Sequence, residues 1–254
     1  MLIAITREVS RSIDRCELTN LERLPIDLEN ARRQHRAYRS TLESLGVKVV
    51  ELPEAPELPD AVFVEDTALV LDEVAVLLRP GAESRRPEVE SVARALAPYR
   101  KLLSIEAPAT VDGGDVLVVG KTIYVGQSTR SNMGAVRQLA ERVVPYGYLV
   151  RAVPVVGCLH LKSAVTLASG DTLLINPAWV DRACFPVVRF LEVDPAEPYA
   201  ANVLRVDETV VYQPAFPRTL ERLEKAGIHP VLVDASELAK AEGALTCCSL
   251  LIEA

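Results

Sequence analysis

Short β-branched and aliphatic runs alternate with amphipathic segments about five times along the 254 residues, with roughly three such runs to each amphipathic segment. That ratio constrains the fold more than any single motif does. A doubly wound sheet carries one strand per helix. Three strands per helix point instead to ββαβ units arranged radially, an α/β fold in which loops and strand ends from several units converge on an axial channel. Strands are expected at 2–6, 47–52, 61–64, 68–71, 74–78, 101–105, 116–119, 122–125, 148–153, 172–176, 203–206, 209–212, 230–233 and 247–252. Helices are expected to begin near Asp27, Pro87, Ser131, Pro177 and Pro217, three of them at prolines suited to a first helical turn. In the clearest helix Met133, Val136, Leu139, Ala140 and Val143 recur at helical spacing, with Arg137 and Glu141 opposite. The proline-bearing stretch 52–59 is short enough to be an ordinary connection, so one domain spanning 1–254 is expected.

Charge and apolar content narrow the class of partner. A net charge of −7 disfavours nucleic acid and anionic membranes and leans toward a small cationic ligand. Only four apolar residues follow Met1 before polarity returns, and no later run approaches ~18; a cytoplasmic protein is the expectation. The five cysteines, at 16, 158, 184, 247 and 248, have no regular spacing and fit reduced thiols.

Cys247 and Cys248 are adjacent, and neighbouring Cα atoms stand about 3.8 Å apart where a disulfide prefers roughly 5.5 to 6 Å. If 247–252 is a strand, successive side chains point to opposite faces. Cys248, Leu250 and Ile252 then share one face, while Cys247 lies with Ser249 and Leu251 on the more polar one. This favours Cys247 as the reactive thiol over the competing reading of two buried, inert cysteines. Residues 158–163 read as another extended run, placing Cys158, His160 and Lys162 on one face. His160 is the best general acid or base, against the alternative of a satisfied core histidine. His35, among arginines, reads as solvated surface, and His229 before Pro230 as structural. Metal ligation by Cys158, His160 and Cys247 has no supporting C-x2-C or H-x3-H spacing.

The segment Asp112-Gly113-Gly114-Asp115 pairs glycines that let backbone approach something closely or adopt positive φ, and its carboxylates could orient a histidine or bind a cation. A plain turn is the alternative, and the Lys and Ser/Thr of a phosphate loop are missing. Asp60, Glu65 and Asp66 flank a second short run and need partners if buried; a substrate guanidinium would serve. Arg85, Arg86 and Arg130 stand in loops ahead of helices, where planar forks can clamp a carboxylate.

Together FVEDTA (63–68), RPGAESRR (79–86), ATVDGGDVL (109–117), TRSN (129–132), LHLKS (159–163) and LTCCS (245–249) resemble, in order, the dimethylarginine dimethylaminohydrolases of the guanidine-modifying (pentein) superfamily. The resemblance implies a five-bladed α/β propeller and hydrolysis of Nω-methylated arginine to citrulline and a methylamine. It implies Cys247 as nucleophile, His160 as general acid/base and Asp112 as its supporting acid. Asp66 would grip the guanidinium, with Asp60, Glu65, Arg85 and Arg130 also holding substrate. It implies no cofactor and no required metal, although zinc could inhibit by capturing Cys247 and His160. A small-molecule substrate is the implied partner, with no nucleic acid or membrane, in a monomer or a homodimer. Deiminases of free arginine carry an acid two residues after the histidine, where this chain has Lys162; an ammonium there would repel an unmethylated guanidinium. The stretch 7–26 does not align with the family and is where an active-site flap is expected, and Asp112 stands where several superfamily members have Glu. Competing readings are another guanidine-modifying activity, such as a deiminase, citrulline-side-chain hydrolase or amidinotransferase-like enzyme, and a catalytically silent propeller that binds an amino acid or a protein.

Overall fold

The structure, a computed structural model, describes residues 1–186 and 189–253. The chain opens with β1 (Leu2–Arg7), α1 (Leu28–Ser44) and β2 (Lys48–Leu52). Four units with one strand plan follow. β3 (Ala68–Val70) and β4 (Val74–Leu77) form a hairpin, α2 (Glu88–Leu96) crosses over, and β5 (Lys101–Ser104) returns parallel to β4. β6 (Val116–Val119), β7 (Thr122–Gln127), α3 (Met133–Val143) and β8 (Leu149–Pro154) repeat the plan. The next unit starts from a short α4 (Leu161–Ala164) and comprises β9 (Val165–Ser169), β10 (Thr172–Ile175) and β11 (Arg189–Glu192). β12 (Leu204–Val206), β13 (Thr209–Tyr212), α5 (Pro217–Lys225) and β14 (Val231–Leu232) make the last of these, followed by a single-turn α6 (Ser236–Ala239). Finally β15 (Leu250–Glu253) pairs antiparallel with β1, Leu2 opposite Glu253, so that β15-β1-β2 is a ββαβ unit assembled from both halves of the sequence. Among the described residues the result is five three-stranded sheets, the radial repeat expected from the strand-to-helix ratio and the five blades implied by the resemblance.

Each blade packs on the next through its own apolar cluster. Ile3, Ile5 and Leu250 of the first meet Val64, Ala75 and Leu96 of the second, and Leu117 and Tyr124 of the third meet Leu173 and Ile175 of the fourth. Strands buried on both faces read as continuous apolar runs rather than alternating ones; Val74, Ala75 and Val76 are all fully buried. The helices form where caps and periodicity agree. Asp27 accepts from the Asn30 N–H at the start of α1, and Ala31, Tyr38 and Leu42 face the core. Asn132 does the same for α3 by accepting from Ala135 N–H.

Several expected elements differ. Residues 61–64 are not a strand but turns leading into a 3-10 turn at Val64–Thr67. No helix begins at Pro177; the Asn176 side chain accepts from the Ala178 N–H to tighten a turn, and a 3-10 turn at Arg182–Cys184 follows. β9 and β11 were not expected from the pattern, and Met133 is exposed rather than core. Among the described residues no helix is long and apolar enough to cross a membrane.

Candidate active site

In every blade the turn just ahead of the innermost strand points its side chains toward the same place. Val64–Thr67 precedes β3, Gly113–Asp115 precedes β6, His160 caps α4 ahead of β9, Asn202 stands before β12, and Thr246–Cys248 precedes β15. Five equivalent positions, some 42 to 48 residues apart in sequence, thus deliver Asp66, Asp112, His160, Asn202 and Cys247 to one end of the axis.

His160 is held through its ring and through its backbone neighbour. Its Nε2 lies 3.1 Å from Asp112 Oδ2, and the N–H of Leu161 donates to Asp115 Oδ1 at 2.9 Å. Asp112 is in turn fixed by Gly81 N–H at 2.8 Å. Ser131 Oγ links the two acids, accepting from Asp112 N–H and donating to Asp115 Oδ2. Burial would push the imidazole below its ordinary value, but Asp66, the hydrogen-bonded Asp112 and Asp115 more than offset this and raise it to about 9. At neutral pH it is an imidazolium with a proton to give. Gly113 and Gly114 are close-approach glycines: the first lies against the Glu65 backbone, the second against the His160 ring.

Asp66 is buried, which alone would raise its pKa, yet Arg85, His160 and the Gly114 N–H hold it below the usual carboxylate range. Arg85 Nη1 donates to Asp66 Oδ2 at 2.5 Å, and its Nε and Nη2 form a bidentate pair with Glu88 at 3.1 and 2.9 Å. With Nη2 also directed at the Phe63 carbonyl, little of Arg85 is left for a ligand. Arg130 is freer: Nη2 donates to Thr19 Oγ1 at 2.9 Å and Nη1 stands 4.0 Å from Asp112. Asp60 accepts from Glu17 N–H at 3.1 Å.

One narrow cleft is lined by Cys247, His160, Asp66, Asp60, Arg85 and Arg130, with Phe63, Leu159 and the Ala241–Gly243 stretch completing it. Asp112 stands behind His160. Glu65 is placed elsewhere than expected. Both its carboxylate oxygens are engaged, accepting from Lys162 Nζ at 2.6 Å and Thr246 Oγ1 at 2.8 Å, and it faces a separate cavity of about 280 Å³ among the inner strands. Lys162 lines that cavity too and is not among the residues that line the Cys247 cleft. The extended run expected at 158–163 is instead the cap and single turn of α4, and a helical turn sends His160 and Lys162 in different directions.

The cysteine step likewise lies in a 3-10 turn rather than in a strand, so the alternation that separated the two thiols in the sequence is not what separates them here. Cys247 lines the cleft; Cys248 is buried in the core, its Sγ 3.4 Å from the Ala244 carbonyl. Burial and then Glu65, Asp66 and Cys248 push the Cys247 thiol well above its ordinary value. Burial and these acids are the chief influences on the thiol, so the cation expected to lower it does not prevail here. Asp66, Asp112 and His160 could each offer a ligand atom within 4.8 Å, but those groups are already engaged with one another's partners. Asn202 and Thr246 escaped the sequence reading. Asn202 Nδ2 donates to Thr246 Oγ1 at 3.0 Å, and Thr246 donates onward to Glu65, which ties the turn of Cys247 to two other blades.

Residues 13–165 match the model of the eukaryotic N,N dimethylarginine dimethylhydrolase family. The Streptomyces coelicolor N(G),N(G)-dimethylarginine dimethylaminohydrolase is 41% identical over 97% of this chain and 95% of its own. The chain belongs to the dimethylarginine dimethylaminohydrolase family. The family member from Pseudomonas aeruginosa, solved as a cysteine-to-serine mutant complexed with citrulline, superimposes with a TM-score of 0.93 at 34% identity, covering 98% of both chains. A second dimethylarginine dimethylaminohydrolase structure, a histidine-to-glycine adduct with S-methyl-L-thiocitrulline, matches with the same TM-score and identity over 98% of this chain and 99% of its own.

Proposed function

We propose that this protein hydrolyses Nω,Nω-dimethyl-L-arginine and Nω-monomethyl-L-arginine to L-citrulline and the corresponding methylamine, with Cys247 as nucleophile. The observation that carries the reading is the convergence of a thiol, an imidazolium and a low-pKa carboxylate on one cleft that Arg130 also lines. Membership of the family and the citrulline and thiocitrulline complexes of its relatives support it. The single domain over 1–254 is supported by β15, which completes the first blade.

Asp66 offers its charge to the guanidinium, and Arg130, with Asp60, receives the amino-acid end, while Arg85 braces Asp66 from behind. The substrate then brings a further cation, its own guanidinium. A guanidinium beside Cys247 offsets the carboxylates that hold the thiol protonated, so ionisation accompanies binding. The thiolate adds to the central guanidinium carbon; the tetrahedral adduct collapses as His160 gives its proton to the departing amine, leaving an S-alkylthiouronium on Cys247. His160, now neutral, takes a proton from water as that water attacks the same carbon. The C–S bond breaks, citrulline leaves and the thiol is restored. Asp112 keeps the ring aimed throughout. Glu65, through Thr246, positions the nucleophile's turn and does not touch substrate. With Lys162 committed to Glu65, the histidine's turn supplies no second carboxylate to the guanidinium. That favours a substrate whose methylated nitrogen has fewer N–H groups to satisfy.

The test is incubation with asymmetric dimethylarginine and, separately, arginine, with citrulline, dimethylamine and ammonia measured. Dimethylamine formation that is lost in Cys247→Ser and kept in Cys248→Ser is the expected result. Ammonia from arginine in preference would establish a deiminase, and turnover surviving in Cys247→Ser would remove the nucleophile.

A further inference from the structure

The cleft as it stands has a free volume of about 20 Å³, room for about one water and far from the few hundred Å³ an amino acid requires. Something must lift before substrate enters. The segment Glu17–Leu21 closes it from one side, within the stretch where a flap was expected. Residues 19–25 are all exposed, with little apolar surface buried to hold them, which is the character of a segment that opens locally at low cost. Three of its fastenings run to residues beside the substrate site: Glu17 N–H to Asp60, Ser84 Oγ to Glu17, and Arg130 to Thr19 Oγ1.

The fourth is of a different kind. The carboxylate of Glu242 accepts three consecutive backbone N–H groups, Oε2 from Thr19 at 2.8 Å and Oε1 from Asn20 at 2.6 Å and Leu21 at 2.8 Å. Successive amides turned onto one anion form a nest, and bonds of this kind to a charged acceptor are stronger than neutral ones. Glu242 reaches this position from an unusual backbone, φ +57°, in the left-handed region that a non-glycine residue seldom takes. It lies five residues before Cys247, between α6 and the nucleophile's turn. Behind the nest Arg23 Nη2 donates to the carbonyl of buried Cys16 at 2.6 Å, which anchors the base of the segment to the core.

We propose that Glu242 is the latch of this lid, a positioning residue whose carboxylate holds 17–21 over the cleft and sets how readily substrate and product pass. The assignment rests on Cys247 as the nucleophile of the proposed reaction, but its test does not require turnover. Glu242→Gln keeps the size and backbone of the residue and removes the charge while presenting an amide donor to the N–H groups; Glu242→Ala removes the acceptor. In the full chain, hydrogen exchange of the Thr19, Asn20 and Leu21 amides is expected to quicken at least tenfold in both variants while exchange in the blades stays as in the parent. Carbamidomethylation of Cys247 by iodoacetamide, located by peptide mass spectrometry, is expected to quicken by a similar factor. With asymmetric dimethylarginine, KM is expected to rise about tenfold and kcat to change by less than threefold. Exchange and alkylation at parental rates in both variants would overturn the latch, and so would protection lost throughout the blades in Glu242→Gln, because Glu242 would then be supporting the fold. Faster alkylation in a protein whose parent makes no citrulline would keep the latch and sink the reaction.

Discussion

Replacing Gly114 with alanine adds one methyl group at the point where the backbone of one blade meets His160, the proposed general acid, of another. That Cβ would lie 2.8 Å from His160 Cγ and closer still to Nδ1. Ordinary carbon contacts need about 3.5 to 4 Å, so the ring must retreat by roughly 1 Å. It cannot do so while keeping its 3.1 Å contact with Asp112, because Asp112 is itself pinned by Gly81 and Ser131. A displacement of 1 Å in a group that must deliver a proton costs on the order of 100-fold in rate, about 2.7 kcal/mol in the barrier. Because the obstructing group is a side chain, the fold survives, with overpacking costing about 1 to 3 kcal/mol. Gly113→Ala is the contrast: its Cβ would lie 2.7 Å from the Glu65 carbonyl carbon and 3.2 Å from Asp66 Cα. Backbone cannot step aside, and this variant is expected to yield little folded protein. The assay is citrulline release at saturating asymmetric dimethylarginine, alongside thermal unfolding. A Gly114→Ala enzyme with kcat within threefold of the parent would refute the claim that His160 works only from this position.

Three further outcomes follow from the same geometry. Asp112→Asn removes one of the groups that raise His160, so the imidazolium is lost at lower pH; the alkaline limb of kcat/KM, expected near 9, should move acidward by roughly one pH unit, and an unmoved limb would show that Asp112 does not act on the histidine's proton. Arg130→Ala and Arg85→Ala should separate: the first raises KM on the order of 10- to 100-fold with little change in unfolding temperature, while the second strands buried Asp66 and Glu88 and costs about 3 to 5 kcal/mol of stability. Equal effects on KM alone would erase the distinction drawn between them. Cys248→Ala should cost about 1 kcal/mol in stability and leave kcat within threefold, as suits a core thiol; loss of turnover would reassign the nucleophile.

What could be read without coordinates was whatever depends on residue type and long periodicity. The strand-to-helix ratio gave the radial repeat, and the paired glycines gave a close approach whose object turned out to be Glu65 and His160. Single turns defeated the reading. Three or four residues of 3-10 or α-helix ahead of a strand have no period of their own, so the cysteine step, the histidine run and 61–64 all looked like strand. Asn202 and Glu242 carry no local signal at all. Their partners, Thr246 and Thr19–Leu21, lie 44 and more than 220 residues away, and only the closing of the ring brings them near.

That closing has a kinetic side. Four blades are built from contiguous sequence, but the first waits for β15, whose register sets Leu2 against Glu253 and Ile5 against Leu250. Loop-closure entropy must be met before such contacts give anything back, so high-contact-order pairings form late. On the ribosome the carboxylates and the imidazole emerge and dock well before the turn that bears the thiol, and the reactive centre is assembled last. A circular permutant that joins the present ends and opens the chain between β2 and β3 would turn the first blade into a local structure, and its refolding should be faster than that of the parent.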